Sequence, residues 1–242
     1  MTATPPIVDY ETWQQERDAL LAREKAHTRE GDAIAAARRR LPMTEVPNVE
    51  LVGEQGPTTL VDIFEGRDQL VVYKHMFHAG EPFDEQCEGC TIAQWNFQDA
   101  TYLHEQGVSY AVIAEGPWEE VRRFRELMGY TLPWYSAHGA DDPVLGGDYG
   151  SIACFLRTGD RVFVTYETTG RGVEAIMGSL QLLDMTAYGR QEVWEDSPAG
   201  WPQRPTGAFW RRDGRPTAQW TRPGATPVHG AGAPGRSPVG DG

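Results

Sequence analysis

The run Gln69-Leu70-Val71-Val72-Tyr73-Lys74-His75-Met76-Phe77 constrains the fold more than any other stretch of the chain, because near-continuous apolar character reads as a strand buried in the middle of a sheet. Strand-like stretches Val49 to Gly53 and Thr58 to Phe64 precede it. After a loop holding Gly80 and Pro82 comes Cys87-Glu88-Gly89-Cys90, and Thr91 to Gln106 is helix-compatible, with Ile92, Trp95, Tyr102 and Leu103 as candidate buried positions. Val108 to Glu115 is the next strand. Pro117 to Met128 is the next helix, opened by proline and carrying Glu119 and Glu120 early. Ile152 to Arg157 and Arg161 to Glu167 flank the turn Thr158-Gly159-Asp160 as a hairpin, and Gly172 to Tyr188 reads as a last helix.

The order β-α-β-α-β-β-α specifies an α/β domain of thioredoxin-like fold, with a central mixed sheet flanked by helices, over residues 46–190. Residues 1–45 form an N-terminal helical extension, in which Trp13, Leu20, Leu21 and Ile34 are spaced for one face and Gly31 is a point of interruption. Arg38, Arg39, Arg40 and the following Pro42 mark its end. An amphipathic segment outside the minimal fold is expected to support a homo-oligomer. Residues 191–242 hold Trp194, Trp201, Trp210 and Trp220 among prolines and glycines, and the tail beyond Trp220 is expected to be disordered.

A net charge of -13 excludes the phosphate-neutralising surface of a nucleic-acid binder and opposes anionic lipid. No stretch approaches a membrane span and the N-terminus lacks a leader pattern, so the expected location is cytoplasmic. Three cysteines cannot form a stapling framework, and in a reducing compartment a close pair points to redox chemistry or metal binding. Cys87 and Cys90 can share the first turn of a helix, where backbone N–H groups and the dipole stabilise a thiolate. Cys87 is then the nucleophile and Cys90 the resolving thiol of a dithiol-disulfide exchange. Asp84, Glu85 and Glu88 crowd the pair, so the Cys87 thiol is expected only modestly below its ordinary value and the couple on the reducing side. The alternative is a metal-binding or redox-sensing module in which His75 and His78 join the two thiols, although their odd spacing opposes it on a regular strand.

From Trp13 to Arg190 the chain resembles the DUF899 family of bacterial thioredoxin-like proteins, described as predicted dithiol-disulfide oxidoreductases. The resemblance is carried by Ala19-Leu20-Leu21-Ala22, Arg38-Arg39-Arg40-Leu41-Pro42-Met43, Gln69-Leu70-Val71-Val72-Tyr73, Cys87-Glu88-Gly89-Cys90, Met128-Gly129, Leu132-Pro133-Trp134, Gly159-Asp160-Arg161-Val162-Phe163, Gly170-Arg171-Gly172 and Leu182-Leu183-Asp184. It implies the fold and a redox activity at Cys87 and Cys90. Thioredoxins place a cis-proline before the strand facing the cysteines; here Gly150-Ser151-Ile152-Ala153-Cys154 occupies that place.

The expected partners are a disulfide-containing protein or small molecule and a thiol electron donor, with no bound cofactor. Cys154 reads as a small buried hydrophobe, with pairing to Cys87 as the competing reading. Arg171 reads as a turn residue, Trp134 and Tyr135 as core packing in preference to a groove, and His104 and His138 as structural. Phosphate-loop, Ser/His/Asp and HExxH patterns are missing from the sequence.

Overall fold

The computed structural model describes residues 3–140, 142, 144–223 and 225. Helix α1 (Tyr10–Arg38) starts at Asp9, whose carboxylate accepts the Thr12 N–H at 2.8 Å, and runs through Gly31 without the expected interruption. None of its residues is buried; Trp13, Leu20 and Ile34 remain about half exposed. The stripe that the spacing defines therefore lies uncovered.

Strands β1 (Thr44–Val46), β2 (Glu50–Gly53) and β3 (Gly56–Thr59) follow. The strand expected to reach Phe64 stops at Thr59. The Asp62 carboxylate accepts the Thr59 N–H (3.0 Å) and hydroxyl (2.7 Å), which turns the chain into a 3-10 turn over Asp62–Phe64. β4 (Gln69–His75) is the apolar run itself. The helix expected from Thr91 to Gln106 is two, α2 (Glu88–Asn96) and α3 (Thr101–Glu105). Asn96 and Gln98 donate their side-chain amides to the carbonyls of Ile92 (2.8 Å) and Gln94 (2.9 Å), closing α2, and Tyr102 is 88% exposed instead of buried.

β5 (Val108–Ala114), α4 (Trp118–Met128), β6 (Trp134–Ser136), β7 (Ser151–Thr158) and β8 (Arg161–Thr169) complete the main elements before a 3-10 segment, Gly170–Ile176, and α5 (Gly178–Asp184). The last helix is thus broken at Met177, and Leu182 points to solvent. A short hairpin, β9 (Arg211–Arg212) and β10 (Arg215–Pro216), and a 3-10 turn at Thr217–Thr221 follow.

The sheet order is β1-β8-β7-β4-β5-β6-β2-β3. β4 pairs parallel with β5 and antiparallel with β7, so β5-β4-β7-β8 is the thioredoxin-like sheet, with α2 and α4 following its two parallel strands. β1, at the end of the stretch expected to be a helical extension, and β6, in a stretch for which no strand is expected, widen it. Alternation along the strands sorts two cores: Tyr73, Tyr110 and Val112 pack with Phe124 and Cys90 on one face, and Leu70, Val72, Ile113 and Phe155 pack on the other.

Candidate active site

The C-terminal end of β4 delivers the chain to the cysteines through a tied loop. Gln86 is fully buried; its side chain accepts the His78 N–H at 2.9 Å and donates to the His78 carbonyl at 2.9 Å, so it closes the loop as a strand partner would. Cys87 is the N-cap of α2, and its Sγ accepts the Cys90 N–H at 3.4 Å. Cys90 is 2% exposed, its Sγ accepts the Met76 N–H at 3.3 Å, and the Tyr73 hydroxyl faces it. The pair is therefore asymmetric, with Cys87 at the opening and Cys90 beneath it.

The hydrogen bond from the Cys90 thiol, with help from the backbone N–H groups of Cys90 and Gly89, outweighs burial and pulls the Cys87 thiol down to about 6. The same hydrogen bond and burial push Cys90 up, so it stays protonated. Cys87 thus lies lower than the acidic neighbours led us to expect. Two of those carboxylates are occupied: the Arg211 guanidinium is 3.2 Å from Glu88, and that of Arg215 is 4.0 Å from Asp84. A thiolate stabilised in this way favours the reduced form and moves the couple toward the oxidising side, opposite to the expected direction. Alkylation of the reduced protein by iodoacetamide should occur first at Cys87, with a midpoint near pH 6. Mass spectrometry of time points across pH 4 to 9 checks this, and a midpoint near 8.5, the ordinary thiol value, contradicts it.

The C-terminal segment is the part of the site that sequence reasoning missed. Trp210 packs on Gly89, where a Cβ would lie 3.3 Å from the indole. Arg211 donates to the carbonyls of Asp84 (2.6 Å) and Gln86 (2.9 Å), and the Gln219 amide donates to the Phe83 carbonyl (2.6 Å). Arg222 lies over the Trp95 ring at 4.4 Å, so packing extends past Trp220, where the disordered tail was expected to begin; residues 226–242 lie outside the described residues. The signal was the charge complementarity of Arg211 and Arg215 with the acidic run around the cysteines.

Between this strap, Tyr149-Gly150 and the Thr169–Met177 stretch lies a cleft of about 410 Å³ onto which Tyr73, Met76, Cys87 and Cys90 open. Gly150 adopts φ 82°, and its N–H donates to the Lys74 carbonyl at 2.7 Å. Arg171 stands at this cleft, paired with Glu174 at 3.0 Å and over Trp194 at 4.6 Å.

The other sequence candidates lie apart. His75 is fully buried against Trp134 (4.9 Å between centroids), neither ring nitrogen has a partner, and desolvation lowers it to about 3. The His78 Nδ1 is 2.9 Å from the Glu85 carbonyl oxygen. β4 ends at His75, so strand alternation does not relate the two, and among the described residues no group of three or more His, Cys, Asp or Glu could hold a metal. The ligand set of the metal reading is not assembled. Cys154 pairs with Val71 in the sheet, five residues from the Met76 N–H that meets Cys90, or roughly 16 Å along the strand. That is beyond disulfide reach of the pair. Trp134 stacks on Tyr130 in the core and Tyr135 packs on the opposite face, as core packing requires. His138 bonds through Nδ1 to the Glu115 carbonyl at 3.0 Å. His104, in the last turn of α3, lines none of this cleft.

The family described as "Bacterial protein of unknown function (DUF899)" matches residues 2–215, which include α1, the sheet, both cysteines and the strap through Trp210 and Arg211. The chain belongs to that family. A protein of Halothermothrix orenii described as hydroxylamine reductase is 28% identical over 123 residues, half of this chain and 22% of that protein, so the match spans about a fifth of the relative's length. Among solved structures, peroxidoxin BcpB of Mycobacterium tuberculosis is 18% identical, with TM-score 0.40, covering 59% of this chain and 97% of its own. A DsbF homologue of Corynebacterium diphtheriae is 16% identical, with TM-score 0.36, covering 57% and 87%. Among the described residues no helix is long and apolar enough to cross a membrane.

Proposed function

We propose that this DUF899 protein is a dithiol-disulfide oxidoreductase in which Cys87 attacks and Cys90 resolves. One observation carries the reading: an ionisable thiol at a helix N-cap opens on a cleft while a protonated partner thiol donates to it from below. The Cys87 thiolate attacks one sulfur of a substrate disulfide, the S–S bond breaks, and the first thiol leaves with a proton. Cys90 then attacks the Cys87 sulfur, closes the intramolecular bridge and releases the second thiol. A thiol donor returns the bridge to the dithiol. Three cysteines, two of them so placed, fit a reducing cytoplasmic setting.

Turnover of a disulfide with a thiol donor in excess tests this, together with peptide mapping of the oxidised protein for a Cys87–Cys90 bridge about 2 Da lighter than the dithiol. Sustained turnover and that bridge are expected. Stoichiometric oxidation without turnover points instead to a redox sensor, and a bridge involving Cys154 contradicts the assignment of roles.

A further inference from the structure

The cleft's walls constrain what can reach Cys87, and the substrate class they define rests on the exchange reading above. Three segments distant in sequence line the cleft at the thiol. Trp210 covers the Gly89 side of the nucleophile turn, Tyr149-Gly150 leads into β7 beside the end of β4, and Val173 and Met177 line the remaining side. The strap that carries Trp210 is anchored on the active-site loop at three carbonyls, those of Phe83, Asp84 and Gln86. It forms one wall of the site, tied to the loop that carries Cys87.

The lining is aromatic, thioether and aliphatic: Tyr149, Trp210, Met76, Met177 and Val173. Its two charged side chains, Arg171 and Glu174, are spent on each other at 3.0 Å, and Glu174 is held again by Arg190 at 2.8 Å. A charged ligand therefore meets no unpaired counter-charge on the described lining, and the chain's net charge of -13 opposes anions. The volume, about 410 Å³, is in the range of small-molecule sites. Aromatic faces and methionine sulfur favour flat, polarisable groups.

The geometry points to a neutral, low-molecular-weight aromatic disulfide as the substrate class of this site. Such a molecule lies between Trp210 and the methionines with its S–S bond toward Cys87. The thiolate bonds to one sulfur, the other departs as an aryl thiol, and closure of Cys87–Cys90 releases the second. Two electrons pass from the dithiol to the substrate, and the thiol donor replaces them.

The test compares 2,2′-dithiodipyridine, oxidised glutathione and insulin as substrates of the full chain, each rate divided by that of dithiothreitol at the same pH to remove intrinsic reactivity. The normalised kcat/KM for the neutral aromatic disulfide should exceed both others by about thirtyfold or more, which corresponds to about 2 kcal/mol of discrimination. Trp210→Ala should reduce that preference about tenfold, chiefly through KM, and Trp210→Phe should restore most of it. A measurement on the unaltered chain stands beside the variants: the non-reducible thioether di(2-pyridyl) sulfide should protect Cys87 from iodoacetamide. Equal normalised rates, a preference for insulin, or no protection overturns the substrate class while leaving the exchange chemistry standing. Loss of turnover with all three disulfides, with Cys87 still alkylating, overturns the exchange reading and the substrate class with it.

Discussion

Replacing Cys87 by serine should lower disulfide turnover by about a thousandfold or more, the loss expected when the atom that forms the covalent intermediate is removed. The Cys90 variants should behave differently, and differently from each other. Cys90→Ser keeps a hydroxyl that can donate to Cys87, so the Cys87 midpoint should remain well below the ordinary thiol value, while the mixed disulfide accumulates for want of a resolving thiol. Cys90→Ala removes the largest influence holding Cys87 near 6, and the midpoint should rise toward about 8.5. At pH 7 that change takes the thiolate from roughly nine-tenths of the population to a few per cent. Nucleophilicity falls as the thiol becomes more acidic, so alkylation at pH 7 should change only a few-fold. The larger consequence lies in resolution: neither variant keeps a thiol that can attack the Cys87 sulfur and expel the second substrate thiol, so release needs an external thiol that attacks the substrate sulfur and expels Cys87, which leaves faster the more acidic it is. Mixed-disulfide lifetime by mass spectrometry and alkylation against pH separate these effects. An unshifted midpoint in Cys90→Ala shows that the thiol below does not set the acidity of Cys87.

What could be read from the sequence divides along the range of the interactions. β4, β5, α4 and the β7–β8 hairpin declare themselves because apolar periodicity, proline at a helix start and a glycine turn act within a few residues. β6 is three residues long and exists because Val112–Ala114 offers it a parallel edge, which no local pattern announces. The break between α2 and α3 is made by Asn96 and Gln98 turning back on their own helix, and the opposite side of Asn96 accepts the Ser179 N–H at 2.9 Å from a segment 83 residues away. The positions of Cys87 and Cys90 were legible for the same local reason that β4 was. Their acidity was not, because it depends on Cys90 lying beneath Cys87 and donating to it, with the N–H groups of Cys90 and Gly89 in support. The tryptophans of the C-terminal segment were visible as composition; that one of them walls the cleft requires the three-dimensional return of the chain.

The segment that faces the strap across the cleft is tied together by Arg190, and removal of that cation should be strongly destabilising. The Arg190 side chain is 4% exposed and donates to Glu174 at 2.9 and 2.8 Å and to Asp184 at 2.7 Å twice. Arg190→Ala leaves Glu174 without its principal partner in a mostly enclosed place. Breaking a buried pair from one side costs about 3–5 kcal/mol. For a chain of this size that is a fall in Tm of roughly 6–20 °C. Arg190→Lys should recover only part, because an ammonium cannot serve two carboxylates with paired donors. The pH dependence gives an independent sign. Hydrogen bonding to Arg190 holds Glu174 at about 2, below its ordinary value, so this stabilisation is fully present above about 4.5 and is lost as pH falls toward 2. The gap in stability between the parent chain and Arg190→Ala should be widest at pH 7 and should narrow in denaturant titrations at pH 3. A gap that stays constant with pH shows that the arginine acts through packing on Trp194, 5.7 Å from its guanidinium, and not through the carboxylates. Because Glu174 also pairs with Arg171 at the cleft, the variant should weaken binding of di(2-pyridyl) sulfide while the Cys87 midpoint, set on the other side of the site, stays near 6.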